Sequence, residues 1–273
     1  MGDITIDSGG VALAATDDGE GVPVVLLHGL TATRRYVVMG SKALERGGHR
    51  VVAYDARGHG ESAPAPRPDA YGYDLLAGDL EAVLDELGLD SVVMAGASMG
   101  AHTIARLAMS RPDRVAAAVF ITPAYEPGRD EGLAGWDRLA EGLRSGGIEG
   151  FVQAYDLTRL PETWHETVLR VIRQRLEQHE HLDAVADALQ AVPRSRPFES
   201  YEDLARITCP AIVVASGDEA DPGHPFAVGE RWADALGDAE LRTEEPGKSP
   251  LAWQGGQLSK LIADLAGSVR PTA

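Results

Sequence analysis

The stretch "VVMAGASMGAHTIARLAM", residues 92–109, joins an apolar run to a helix-period segment through a serine between small residues. The run is typical of a buried strand, and Gly96, Ser98 and Gly100 follow it in a G-x-S-x-G pattern. This context predicts a sharp turn that lifts the Ser98 hydroxyl above the end of a sheet. The first N–H groups of the next helix would then face an approaching oxyanion. The alternative is a Gly-rich turn with an incidental serine.

Short Val- and Ile-rich runs alternate with helix-period segments along most of the chain. This alternation predicts an α/β fold, a doubly wound and mostly parallel sheet with helices on both faces. The predicted strands are 22–27, 49–54, 91–96, 115–122, 211–216 and 239–245, and predicted helices include 74–88 and 257–267.

The alternation stops at residue 124. Residues 124–206 contain no convincing strand but carry helical segments such as 161–179, which has Pro161 at its start and an apolar stripe. An all-helical insertion between two strands predicts a cap or lid over a core made of residues 1–123 and 207–273.

Two further motifs precede the serine turn. "VVLLHGLTAT" ends a strand with His28, Gly29 and Leu30, and "YDARGHGES", residues 54–62, follows the next strand. The Leu30 N–H is a candidate second oxyanion donor beside that of Met99. Together with the serine turn, these motifs resemble the α/β-hydrolase superfamily in order and spacing, and the helical insertion resembles that superfamily's cap.

The resemblance implies a catalytic triad in the chain order nucleophile, acid, base. The acid is expected after a late strand, where "AIVVASGDEADPGHP" offers Asp218 and Asp221. The D-P pair resembles the usual acid loop and favours Asp221, with Asp218 as the fallback. A solvated acidic turn is the simpler alternative.

The base is expected after the last strand, usually as a histidine in G-H-S-P. This chain reads "PGKSPLAW", residues 246–253, so Lys248 occupies that position and is predicted to reach Asp221. A lysine is a base at neutral pH only when burial depresses its pKa from about 10.4, whereas a neighbouring carboxylate favours the ammonium form. His102, one helical turn after Ser98, and His224, after the acid loop, are the alternatives for the base.

Two functions follow from Lys248. The first is a hydrolase of small ester- or carbonyl-containing molecules that uses Ser98 and an atypical lysine base. The second is a non-hydrolytic enzyme or a ligand-binding protein that keeps the oxyanion donors and the capped pocket. Retention of Ser98 and its flanking glycines favours the hydrolase.

Composition excludes several other classes. The net charge of −17 disfavours nucleic acid and anionic membranes. No apolar run is long enough to span a bilayer, and the single cysteine and the absence of a signal-like start predict a cytoplasmic protein.

We expect a small-molecule substrate and neither a cofactor nor a metal. His28 and Gly29 are candidates to line the pocket, and the cap offers Tyr125, Trp136 and Trp164, although each aromatic residue suits a cap core equally well.

Overall fold

The computed structural model describes residues 2–128 and 132–269. Within these residues, eight strands form one sheet: β1 (Gly2–Ser8), β2 (Val11–Asp18), β3 (Val22–Leu27), β4 (His49–Tyr54), β5 (Val92–Ala97), β6 (Val115–Ile121), β7 (Ala211–Val214) and β8 (Ala239–Arg242). The spatial order is β1-β2-β4-β3-β5-β6-β7-β8. Strands β3 to β8 are parallel, so their carboxyl ends share one edge of the sheet.

The first two strands form an antiparallel hairpin that the sequence analysis did not predict. Gly9 and Gly10 join them, and both have positive φ, 59° and 91°, as a tight two-residue turn requires. Buried residues such as Ile6 and Leu13 alternate with exposed ones. Continuous apolar runs indicate strands that are covered on both faces. Half-exposed strands such as these two do not carry that signal.

Helices cover both faces of the sheet: α1 (Ala43–Arg46), α2 (Tyr73–Glu86), α3 (Met99–Ser110), α4 (Leu133–Ala154), α5 (His165–Leu176), α6 (Leu182–Ala191), α7 (Phe226–Ala235) and α8 (Gly255–Ser268). On one face, α2, α3 and α7 contribute Leu80, Ile104 and Trp232 to a buried cluster. On the other, α1 and α8 contribute Leu44 and Ile262. The predicted doubly wound architecture is confirmed.

The described residues of 124–206 contain helices and no strand. Helices α4, α5 and α6 share an apolar cluster of their own. Their connections contact loops that follow strand ends: Gly60 donates its N–H to His179 at 2.8 Å, and Arg159 donates to the Pro222 carbonyl at 3.0 Å. The helical segment therefore contacts loops at the carboxyl edge of the sheet.

Among the helices of the described residues, none combines the length and the apolar character that a bilayer-spanning segment needs.

The turn between β5 and α3 brings three backbone segments into close contact. A Cβ on Gly96 would lie 2.4 Å from the Gly100 carbonyl carbon, and a Cβ on Gly100 would lie 2.4 Å from the Leu27 carbonyl oxygen. The atoms in contact belong to the backbone and cannot move aside as a flexible side chain can. Glycine is therefore required at both positions. Helix α3 thereby packs directly onto the ends of β5 and β3.

Gly100→Ala is expected to destabilise the protein by about 1–3 kcal/mol, the usual cost of overpacking, because the methyl group would overlap the Leu27 carbonyl. Gly78→Ala is the matched control, since Gly78 is exposed inside α2 and has no atom within 4 Å of the added Cβ. That change is expected to be neutral or to stabilise by about 0.5–1 kcal/mol. Urea unfolding of both variants measures the difference, and equal effects would contradict the steric account.

Candidate active site

Ser98 lies at the turn between β5 and α3 with φ 50° and ψ −110°, a conformation that is strained for any residue with a side chain. Its N–H donates to the Ile121 carbonyl at 2.9 Å, which ties the turn to the end of β6. The side chain does not cap α3 and is only partly buried. Strain of this kind is typical of a residue held for function.

The loop after β3 packs against this turn. A Cβ on Gly29 would lie 3.5 Å from Ser98 Cβ, at van der Waals contact, so this loop lies directly against the serine. Met99 is the first residue of α3 and its N–H has no acceptor inside the helix. Within residues 2–128 and 132–269, the N–H groups of Leu30 and Met99 both lack a backbone acceptor. One free donor thus directly follows Ser98, and the other directly follows Gly29, which packs against the serine.

His28 holds the Leu30 peptide group in place. Its Nε2 accepts the Ala56 N–H at 2.9 Å, so its proton lies on Nδ1, which donates to the Gly29 carbonyl at 2.8 Å. That carbonyl belongs to the same planar peptide as the Leu30 N–H. Burial, followed by the charge of His59, lowers the pKa of His28 to about 3. His28 was predicted to line the pocket, but its ring is buried and both ring nitrogens form hydrogen bonds with backbone groups.

His102 is excluded as the base by its partners. Its Nε2 accepts the N–H groups of Ala124 and Tyr125 at 3.0 and 3.1 Å, and its Nδ1 bonds the Tyr73 hydroxyl at 2.8 Å. No lone pair is left for the Ser98 proton. Burial, followed by the charge of His224, lowers the pKa of His102 to about 3.

His224 binds the predicted acid. Its Nδ1 lies 2.8 Å from Asp221 Oδ2, in the loop that follows β7. Asp218, the fallback acid, instead accepts the Trp253 indole N–H at 2.7 Å. The structure therefore favours Asp221 over Asp218 and pairs it with a histidine three residues later.

The Asp221–His224 pair favours the charged forms of both groups. Burial lowers the pKa of His224, but the charge of Asp221 and the hydrogen bond to it outweigh burial and raise that pKa above its ordinary value near 6.5. Burial raises the pKa of Asp221, but the charge of His224, their hydrogen bond and the charge of Arg175 bring it below its ordinary range. The carboxylate thus orients the ring and stabilises the imidazolium.

The predicted contact between Lys248 and Asp221 is wrong. Lys248 is exposed and has no ion pair within the described residues. The loop from Glu244 to Leu251 is fixed by hydrogen bonds: Glu244 accepts the N–H groups of Gly217 and Leu251 at 2.9 and 3.1 Å. Gly247 forms a turn within this loop with φ 78°. The loop therefore directs position 248 to solvent, although the spacing of the motif suggested the base.

The three aromatic residues predicted to line the pocket do not line the cavity beside Asp221 and His224. Tyr125 packs on the sheet's core and donates its hydroxyl to the Phe198 carbonyl at 3.1 Å. Trp136 packs on the apolar cluster of the helical segment, and Trp164 is 40% exposed. The cap-core alternative holds for Trp136, and the sequence pattern alone did not separate the two roles.

A small cavity lies beside the pair, with room for about one water molecule at about 10 Å³. It is lined by Thr122, Ser216, Asp218, Asp221, His224, Ala252 and Trp253. Thr122 directly follows Ile121, whose carbonyl accepts the Ser98 N–H. The cavity therefore borders the residue next to Ile121, to which the Ser98 turn is bonded. The described residues contain no group of three or more His, Cys, Asp or Glu side chains able to hold a metal.

The chain matches the family model described as alpha/beta hydrolase fold over residues 22–182. It is 30% identical to a putative carbamate hydrolase RutD of Variovorax paradoxus (strain S110), covering 81% of this chain and 82% of the relative. It is 34% identical to 2-hydroxy-6-oxononadienedioate/2-hydroxy-6-oxononatrienedioate hydrolase 2 of Pseudomonas putida, covering 72% of each chain.

Solved structures share the fold. A thermophilic esterase from Thermogutta terrifontis superposes with a TM-score of 0.80 at 24% identity, covering 98% of this chain and 99% of the other. An enol-lactonase from Burkholderia xenovorans LB400 gives a TM-score of 0.77 at 24% identity, covering 97% and 100%.

The His224 imidazole should titrate above pH 6.5, and Asp221→Asn should lower that pKa because burial then acts unopposed. The pair stabilises the fold between the lowered pKa of Asp221 and the raised pKa of His224. Its contribution is lost as pH rises through the latter or falls through the former. NMR of the imidazole protons measures the titration. His28 and His102, with pKa values of about 3, are internal controls that should not shift between pH 5 and 9. A His224 titration below pH 6.5 in the unmodified protein would contradict the pairing.

Proposed function

Because this chain belongs to the α/β-hydrolase fold family, we propose that it is a serine hydrolase in which Ser98 is the nucleophile and His224 is the general base. Asp221 orients and charges the histidine, and the N–H groups of Leu30 and Met99 bind the oxyanion. The observation that carries the proposal is the 2.8 Å Asp221–His224 hydrogen bond beside the corner of the sheet that holds a strained serine.

The proposed reaction uses each of these groups in turn. His224 takes the proton of the Ser98 hydroxyl through Nε2, since Nδ1 bonds Asp221, and the serine oxygen attacks a carbonyl carbon. The carbonyl oxygen becomes negative and accepts the two N–H groups, which His28 and the start of α3 hold in place. The imidazolium returns the proton to the leaving group. Water then cleaves the acyl-enzyme by the same steps.

His224 replaces Lys248 in this proposal because the position of a general base is considered before its pKa, and His224 is the better placed of the two. His224 contacts the acid and lines the cavity, whereas Lys248 is exposed. The acid and base then come from one loop, and the chain order nucleophile, acid, base is kept.

The substrate is proposed to be a small molecule with an ester or lactone carbonyl. The named relatives act on several kinds of bond: they include a putative carbamate hydrolase, an epoxide hydrolase of Siraitia grosvenorii and an enol-lactonase. A serine with two N–H donors suits acyl chemistry. We expect no cofactor, and we propose a cytoplasmic location from the cysteine content and the charge.

A fluorophosphonate probe should label the protein at Ser98, as measured by intact mass and peptide mapping. Ser98→Ala should abolish labelling, and His224→Gln should slow labelling and the hydrolysis of an activated ester by about 10²- to 10⁴-fold, the usual contribution of a general base. Lys248→Ala is the matched control and should change neither rate. If Lys248→Ala abolishes activity while His224→Gln retains it, the lysine is the base. Absence of labelling and of hydrolysis would favour the non-hydrolytic or ligand-binding alternative.

Activity should also rise with pH along a single titration above pH 6.5, because the imidazolium cannot accept the serine proton and Asp221 raises the pKa of His224. Lys248→Ala should leave the position of this titration unchanged. The pH dependence of kcat/KM on an activated ester measures it, and a midpoint below pH 6.5 would contradict the role of the Asp221–His224 pair.

A further inference from the structure

Arg175 reaches from the helical segment to Trp253, a residue that lines the cavity beside His224. It lies in the last turn of α5, and its guanidinium carbon is 5.0 Å from the centre of the Trp253 ring and 5.6 Å from that of Tyr36. Trp253 also lines the cavity beside His224. The arginine therefore lies one aromatic ring away from the Asp221–His224 pair, on the side of the cap.

Arg175 has no direct acidic partner within the described residues. Its Nε is buried and has no hydrogen-bond partner, and within residues 2–128 and 132–269 the side chain forms no ion pair. Arg57 shows the usual arrangement of a buried arginine in this protein, since it binds both oxygens of Asp79 at 2.6 and 2.7 Å. An unpaired buried donor costs free energy, so Arg175 departs from the pattern that the same chain follows elsewhere.

The nearby acid does not bond Arg175 directly. Asp221 interacts electrostatically with Arg175, but it accepts its hydrogen bond from His224. Burial lowers the pKa of Arg175 from its ordinary value, with the charges of Asp221, Tyr36 and Tyr155 opposing it. The aromatic rings hold the guanidinium plane by cation–π contact and leave its N–H groups available.

We propose that Arg175 binds a free carboxylate of the substrate, so that the enzyme acts on small molecules carrying both a carboxylate and, a short spacer away, the carbonyl attacked by Ser98. This inference rests on the proposed serine hydrolase function. The planar guanidinium matches a carboxylate in charge and in two-point geometry. A chain with a net charge of −17 repels anions in general, so a buried cation at the cavity wall selects them locally.

A purely structural role makes a different prediction. If Arg175 only holds the helical segment onto Tyr36 and Trp253, its replacement lowers stability and affects charged and uncharged substrates alike. If Arg175 binds a carboxylate, its replacement affects charged substrates selectively.

The kinetic test compares ethyl hydrogen glutarate with diethyl glutarate, by ethanol release, for the unmodified protein and Arg175→Gln. We expect kcat/KM for the charged ester to fall by about 10- to 100-fold, mainly through KM, while the value for the diethyl ester stays within about twofold. Arg175→Lys should restore part of the loss. Arg173→Gln is the matched control, because Arg173 lies on the same helix turn and pairs with Glu149 at 2.6 Å. Equal loss on both esters would overturn the proposal.

A binding test separates this inference from the proposed function. Glutarate should bind to the Ser98→Ala protein by calorimetry, and the double variant with Arg175→Gln should lose that binding. If glutarate binds through Arg175 but neither ester is cleaved, the carboxylate site stands and the serine hydrolase proposal fails. If glutarate binding is absent or does not depend on Arg175, while diethyl glutarate is cleaved, the hydrolase proposal stands and the carboxylate site is refuted.

Discussion

The close backbone approach around Ser98 is the constraint on which the candidate site depends. Gly100 lies against the Leu27 carbonyl and Gly96 against Gly100, so the start of α3 is fixed to the ends of two neighbouring strands. This packing stabilises a serine with φ 50° that would otherwise relax. The same contact leaves the Met99 N–H without an intrahelical acceptor and places Gly29 next to the serine. The proposed nucleophile, the Met99 N–H and Gly29 are thus brought together by one local packing arrangement.

Hydrogen-bond partners, more than sequence position, separate the histidines by role. His28, His102 and His179 accept backbone N–H groups on one nitrogen, and burial lowers the pKa of each to about 3. These rings are neutral and have structural roles. His28 orients the Leu30 peptide, and His179 joins the helical segment to the loop at Gly60. His224 instead contacts a carboxylate, which raises its pKa and leaves Nε2 for chemistry. The same side chain is therefore structural where backbone surrounds it and a candidate base where a carboxylate does.

Charge pairing distinguishes Arg175 from most other partly buried cations of the described residues. Most partly buried cations of the described residues pair with acids, as Arg57 does with Asp79 and Arg144 with Asp187. Arg175 is held by two aromatic rings instead and lies close to the only loop that supplies both an acid and a histidine to the cavity described here. The substrate carboxylate proposed above would supply the direct partner that the Arg175 Nε–H lacks.

The sequence by itself determined the parallel strands, the serine turn and the helical insertion, because these depend on local patterns such as continuous apolar runs and small residues around Ser98. The D-P pair favoured Asp221 as the acid, which stays a prediction. It missed the β1–β2 hairpin, whose half-exposed strands lack such runs. Only the tertiary structure decided the partner of Asp221. Motif spacing put Lys248 there, but Glu244 holds the loop ends so that Lys248 faces solvent, and the turn after Asp221 brings His224 to the carboxylate. Side-chain direction at the end of a loop depends on hydrogen bonds between distant segments, and a linear pattern does not contain that information.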